Sequence, residues 1–382
     1  MDQLESNRIF NSVKIFSDMP LQYYGGGEKL IIVLSNYLHS KGIDVVIFQE
    51  HADVETRVSF EEIKKLIELK INNIRYIKYL PKFLYQGMPN LNEFSKSTLN
   101  LMFLYRIPPK RYLKKIERLD VRLIFCIHGI TTVIPVLSFK LLLFNFYKKF
   151  ALNYFSKFLI EGNKIKAQVL TKTMERLLYS NGADKKNIYR IPNGVAFDNF
   201  SVGKNNDQFL VIFTGRMVNI QKGIVRLVKV VEKLPSEISV TIIGSGPDTW
   251  LLNNLRLENV EILGFISEEE KNESLKRANL LISTSNLEPF SLVILEGLAS
   301  GLPCVATPAE GPLEILSQEP IFGTVSSFNP DQFAKDVITY FEEWKTNKES
   351  YFQDKIKRRE TARKYYDESV MLEEYYKIIL AN

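Results

Sequence analysis

A disulfide scaffold is excluded at once, because the chain has only two cysteines, Cys126 and Cys304, and neither has a Cys-x-x-Cys neighbour. Both lie in apolar, strand-like runs, which reads as buried free thiols in a reducing compartment. No grouping of Asp, His and Cys has metal-ligand spacing, so no metal is expected. No uncharged apolar run reaches the ~18 residues of a spanning helix. The start of the chain, with Asp2 and Glu5, lacks a basic region followed by an apolar core; no signal peptide is expected and the reading is cytoplasmic. The Gly-x-Gly-x-x-Gly fingerprint is missing, which counts against a dehydrogenase built on two dinucleotide-binding domains. A formal net charge of +6 permits anionic partners without demanding them, and no nucleic-acid partner is expected.

What is present suits a soluble α/β protein. At 382 residues, 45% hydrophobic and 25% charged, the chain can form roughly two domains, each with its own core. Short apolar runs alternate with helical spacing, most regularly in the second half, which argues for parallel sheets covered by helices. Expected strands include 13–16, 44–48, 74–79, 99–105, 121–127, 169–171, 209–213, 240–243, 260–263, 280–283 and 304–307. The polar run 201–207 reads as the linker, giving domains at 1–200 and 201–360 with a terminal helical segment at 361–382 expected to pack back on the first domain.

The stretch 282–307 organises the rest. A strand leads to a polar turn ending at Glu288-Pro289, then to a helix expected over about 290–300, stopped by Gly301 and Pro303. A turn at the carboxyl end of a parallel strand is where open sheets bind ligands, and the following helix N-terminus suits phosphate. Pro289 fits a helix start. Glu296 falls beside the packing residues Leu295 and Leu298, where a carboxylate is costly unless something binds it. The alternative is that it lies on the wet flank of the helix.

Other loops share this character. Strand 13–16 leaves through Gly25-Gly26-Gly27, which lets backbone approach a ligand or serves as a plain turn. Strand 121–127 ends in His128-Gly129, either at a ligand or hydrogen-bonded to backbone. Gly215, Gly244, Gly246 and Gly264 end strands of the second half, with Arg216 and Lys222 beside them. Glycines, fixed cations and a helix N-terminus together make a diphosphate site, although each cation taken singly could be solvated loop charge. Thr173 is placed to cap a helix over 174–180. Segment 134–159 is rich in Leu, Phe and Tyr, and from Val136 to Lys172 there are seven lysines and one acid, Glu161. It reads as a peripheral contact with an anionic membrane through 134–166 or as a core helix with lysines on its wet face.

With these residues in hand, the chain resembles the glycosyltransferase family 4 type, retaining transferases of the GT-B fold. The resemblance covers most of the chain and is strongest over 191–314. It is carried by Gly25-Gly26-Gly27, Pro192-Asn193-Gly194-Val195, Gly215-Arg216, Lys222-Gly223, Gly244-Ser245-Gly246, Glu288 and Glu296 with seven residues between them, Gly301-Leu302-Pro303 and the loop 311–314. It implies two Rossmann-like domains facing across a cleft, and a nucleotide-diphosphate sugar, UDP- or GDP-linked, held mainly by the C-terminal domain. Arg216 and Lys222 would hold the diphosphate, with backbone at Gly215 and Gly244 beside it. Glu296 would accept from the ribose, Glu288 would contact the donor sugar, and backbone near Ile266 would meet the base. Phe290, Ser291 and Leu292 would offer N–H groups. Gly26 and Gly27 would approach the diphosphate, and His128 would sit near sugar and acceptor.

The implied reaction is hexosyl transfer with retention to a hydroxyl; the missing metal-ligand spacing makes it metal-independent with no cofactor, and the apolar, basic segment inclines the reading to a glycan or lipid-linked acceptor in cell-surface glycan biosynthesis. Ser291 and Gly297 stand where the family more often has glycine and alanine. The rival readings are an epimerase or phosphorylase on the same fold, or a non-catalytic sugar-nucleotide binder.

Overall fold

A computed structural model describes residues 11–17, 20–23, 26–49, 59–67, 73–76, 88–105, 107–128, 149–160, 164–204, 207–253, 255 and 257–381. The chain divides into two units, the first built from Met1–Thr132, Val136–Pro192 and Met371–Asn382 and the second centred on Asn193–Val370.

The first unit is a parallel sheet of β1 (Ser12–Ser17), β2 (Asp44–Gln49), β3 (Ile74–Tyr76), β4 (Leu99–Leu104), β5 (Leu123–Ile127), β6 (Ile165–Val169) and β7 (Ile188–Arg190), in the order β3-β2-β1-β4-β5-β6-β7. Every residue of β4 and β5 is buried, as a central strand covered on both faces requires. The order reverses between β1 and β4, and such a reversal is where open parallel sheets generally meet ligands.

The second unit repeats the plan with β8 (Phe209–Thr214), β9 (Ile238–Ile243), β10 (Val260–Gly264), β11 (Leu280–Ser283), β12 (Cys304–Ala306) and β13 (Gly323–Val325), in the order β10-β9-β8-β11-β12-β13. Here the reversal lies between β8 and β11. The helix Pro330–Thr346 packs Phe341 and Trp344 against Phe209, with ring centroids 5.5 and 5.4 Å apart. The next helix, Lys348–Tyr366, buries two cations against backbone carbonyls. Lys355 donates to the carbonyl of Ala278 at 2.8 Å and Arg358 to that of Gly301 at 2.8 Å, so they close off chain ends that follow two other helices. Both cysteines are buried free thiols.

The structure corrects several sequence expectations. The expected linker is anchored at Gly203, which is buried and where a Cβ would lie 1.8 Å from the Lys276 carbonyl oxygen. The chain instead changes unit after Pro192, because Val195 exchanges backbone bonds with Tyr366 and Glu368 inside the second unit. The terminal helical segment is not one piece from 361. Its helix Lys348–Tyr366 belongs to the second unit, and Met371, Leu372, Tyr375 and Ile379 enter the core of the first. Strand β6 ends at Val169, and Thr171 rather than Thr173 caps the next helix, Lys172–Ser180, because its hydroxyl oxygen accepts from Met174 N at 3.1 Å. Of segment 134–159, residues 149–156 form a helix that buries Ala151, Leu152 and Phe155; residues 134–148 lie outside the described residues. Among the described residues no helix is long and apolar enough to cross a membrane.

Candidate functional site

In the second unit the site is built at the carboxyl ends of β8 and β11. Strand β8 runs into Gly215, whose N–H donates to Ile243 O at 3.0 Å, and Gly244 donates in turn to Gly264 O at 2.7 Å. Gly244 has φ 129°, and a Cβ there would fall 1.9 Å from the Gly215 carbonyl, so only glycine lets these strand ends nest together. Arg216 follows, exposed. A short helix, Asn219–Lys222, then carries Lys222 back toward the turn, where a Cβ on Gly215 would rest 3.4 Å from the Lys222 Cε.

The Lys222 loop is stitched to the loop after β11. Gly223, in the left-handed region at φ 66°, presses on the Thr284 carbonyl, where a Cβ would lie 2.2 Å away. Thr284 Oγ1 donates to Lys222 O at 2.9 Å, Asn286 N donates to Gln221 O at 2.8 Å, and Arg226 Nη1 donates to both Thr284 O and Asn286 Oδ1 at 2.8 Å. This register brings Lys222 Nζ onto Glu288 Oε2 as an ion pair, with side chains only 13% and 11% exposed. Buried ions on two loops persist because each neutralises the other.

The helix after Glu288 begins later than the sequence suggests, at Leu292–Ala299 rather than 290. Ser291 is the reason: it sits at φ 92°, ψ 81°, outside helical space, and is buried. Pro289 therefore precedes the helix by three positions and does not occupy its first turn. The Ser291 hydroxyl makes no capping bond and meets no partner among the described residues, so the first turn's N–H groups are not capped by it. Phe290 is buried beneath this turn, and Gly311 lies so close that a Cβ would meet the Phe290 carbonyl at 1.9 Å.

Glu296 is not on a wet flank. Its side chain is 14% exposed and pairs at 2.9 Å with Lys271 Nζ, which also reaches Glu268 at 2.9 Å. Burial alone would lower the Lys271 pKa, but Glu296 and Glu268 more than offset it and the net direction is upward. Lys271 was not singled out from the sequence; nothing local marks it, since its partner lies on another helix. It stands on the helix Glu268–Arg277, which Ser267 opens with a capping box through Glu270. Just before that helix Ile266 is half-buried, and Phe265 is 71% exposed. A groove of about 670 Å³ on the β8–β10 face, lined by Leu210, Thr241, Glu261 and Arg277 among others, includes none of these predicted site residues.

In the first unit, Gly26 and Gly27 open the helix Gly26–Ser40 after β1; Gly25 lies outside the described residues. A Cβ on Gly27 would meet the Tyr105 hydroxyl at 2.0 Å, and that hydroxyl donates to buried Glu28 at 2.9 Å. His128 directly follows β5 and is buried. Its Nε2 lies 3.0 Å from Gln168 Oε1 and 3.2 Å from Tyr375 Oη. Burial pushes its pKa down to about 4, against a weaker upward pull from the Gln168 bond. Gln168 and Tyr375 were not singled out from the sequence either. A glutamine inside an apolar strand is a usable signal for the first; nothing local marks the second.

In fold, these two parallel-sheet α/β units match solved structures of glycosyltransferases along nearly the whole chain. Anabaena HepE in complex with UDP matches with a TM-score of 0.71 at 14% identity, covering 97% of this chain and 100% of that one. Residues 195–359 match the family model described as glycosyl transferases group 1. An uncharacterized glycosyltransferase of Methanocaldococcus jannaschii is 30% identical over 151 residues, 38% of either chain. A phosphatidyl-myo-inositol mannosyltransferase of Propionibacterium freudenreichii is 30% identical over 114 residues, 29% of this chain and 28% of its own length.

Proposed function

We propose that the protein is a retaining glycosyltransferase that moves a hexosyl group from a UDP- or GDP-linked sugar to a hydroxyl of a glycan or lipid-linked acceptor. The observation that carries this reading is the buried Lys222–Glu288 pair at the sheet reversal, its glutamate four residues before a helical first turn that Ser291 does not cap. The anomeric carbon–oxygen bond to the diphosphate breaks, the acceptor oxygen bonds to the same carbon, and the departing phosphate oxygen takes the acceptor proton. The transition state therefore gathers negative charge on the leaving group. Arg216, Lys222 and the N–H groups at Ser291 and Leu292 are fixed opposite charges that need no reorganisation. In this reading they take the place of a divalent ion. Glu288, with one oxygen on Lys222, keeps the other for a sugar hydroxyl, and Glu296 takes the ribose. Gly26, Gly27, Gly215 and Gly244 let backbone approach the diphosphate, and Ile266 borders the base. The work would be cytoplasmic, with peripheral contact to anionic lipid through 134–166.

The UDP-bound HepE neighbour and the group 1 match of residues 195–359 support this reading. Calorimetric titration with UDP-glucose, UDP-galactose, UDP-N-acetylglucosamine and GDP-mannose, each with and without chelator, should give one saturable binder and nucleoside diphosphate release that chelation leaves intact. If none of the four binds, or release stops on chelation, the assignment or its metal independence fails respectively.

A further inference from the structure

Gln168 stands on β6 opposite Cys126 of β5 and is fully buried. Its amide nitrogen donates to Ile191 O at 2.8 Å and to Val169 O at 3.1 Å. Carbonyl oxygens only accept, so the NH₂ end must face them and Oε1 must be the atom 3.0 Å from His128 Nε2. A carboxamide oxygen also only accepts, so Nε2 must carry the hydrogen. Tyr375 Oη, 3.2 Å from the same nitrogen, adds a second contact there. In a neutral imidazole the lone pair is then left on Nδ1, which is buried and meets no partner among the described residues. The surroundings favour the neutral ring. Phe103 lies 5.2 Å from it, the Cys126 thiol is pushed up by burial, and Tyr375 is raised by burial and by Cys126.

We infer that Gln168 is a positioning residue that locks His128 in the Nε2–H tautomer, so that the imidazole enters the transfer reaction as a hydrogen-bond acceptor through Nδ1 and not as a proton donor. This rests on the proposed function for the reaction, but not for the tautomer. The group that answers Nδ1 must be a donor, which on a sugar or glycan substrate means a hydroxyl. The choice of glutamine follows from the same chemistry. A glutamate would accept the same Nε2–H, yet its charge would stabilise the imidazolium and turn His128 into an acid.

The test is ¹⁵N-histidine labelling of the full chain, with the His128 signal identified by its loss in His128→Phe. Long-range ¹H–¹⁵N spectra should show a single neutral Nε2–H ring from pH 8 down to pH 5. Gln168→Met should let the tautomers mix, and Gln168→Glu should protonate the ring at a pH roughly one unit or more higher. With the best donor of the four-sugar panel, Gln168→Met should lower kcat about 10- to 100-fold while the donor KM stays within roughly twofold, the range for groups that orient another. Gln168→Glu, close to glutamine in volume, guards against a folding defect and should shift the pH profile rather than abolish turnover. An Nδ1–H tautomer in the unaltered protein overturns the inference. So does a Gln168→Met protein with mixed tautomers and undiminished kcat. If the unaltered protein turns over none of the four sugars, the proposed function fails while the spectra still decide the tautomer.

Discussion

The strand ends of the two units solve the same problem with opposite electrostatics. In the second unit, the elements that follow β8, β10 and β11 carry ions set as opposite-charge pairs: Lys222 with Glu288 and Lys271 with Glu296. At the end of β5 the polar groups are neutral and held so by burial, with His128 lowered to about 4 and both Cys126 and Tyr375 raised. An ion pair acts over several ångströms and tolerates small shifts, which suits a leaving group whose charge grows during reaction. A neutral network acts through individual hydrogen positions and suits contact with an uncharged hydroxyl. The contrast teaches that a strand's carboxyl end dictates where a ligand is met, while the partners around it dictate which charge state meets it.

The largest effect should come from breaking a pair. Lys222→Ala should cut transfer about 10³-fold, as loss of a fixed transition-state donor does. It should also destabilise by about 3 kcal/mol, because Glu288 is left buried and alone. The double change Lys222→Met with Glu288→Leu should recover most of the stability in a urea melt and none of the transfer; recovered transfer would mean the pair is only structural. Next is acid stability. The folded His128 pKa lies below its unfolded value, so the unfolded chain binds the extra proton and stability falls as pH drops from about 6.5 toward about 4. His128→Phe should remove roughly 3 kcal/mol of that loss, read as a flatter dependence of Tm on pH. A smaller gain is expected at Ser291, whose left-handed backbone costs a side chain about 1 kcal/mol. Ser291→Gly should raise stability by about that much, and an unchanged or lower Tm would mean the hydroxyl has a partner. The mildest effect is expected from charge reversal at Lys148 and Lys149, the latter exposed at the start of helix 149–156, which should weaken binding to anionic vesicles. Unchanged vesicle binding would leave that segment as core cover alone.

Most of the architecture was legible because it rests on local signals. The apolar runs of β4, broken only by Asn100, and of β5 mark strands of a sheet covered by helices. The glycines at 215, 223 and 244 mark places where backbone packs on backbone. The candidate site was legible as a set of residue types but not as a set of partners. Lys222 and Glu288 are 66 residues apart, Lys271 and Glu296 are 25 apart, and His128 and Tyr375 are 247 apart. Misreadings arose in the same way. The polar run 201–204 looks like a linker until the Lys276 carbonyl occupies the space beside Gly203, and the helix at Leu292 starts late because Ser291 is held outside helical space.

The amino-acid order by itself determined the alternating strands and helices, the glycine turns at strand ends and the stock of cations and carboxylates beside them, because periodicity and backbone freedom act within a few residues. Only the tertiary structure decided which ion neutralises which, which nitrogen of His128 carries the hydrogen and where the chain changes unit. Those outcomes depend on distances of about 3 Å between loops that the chain itself does not hold together.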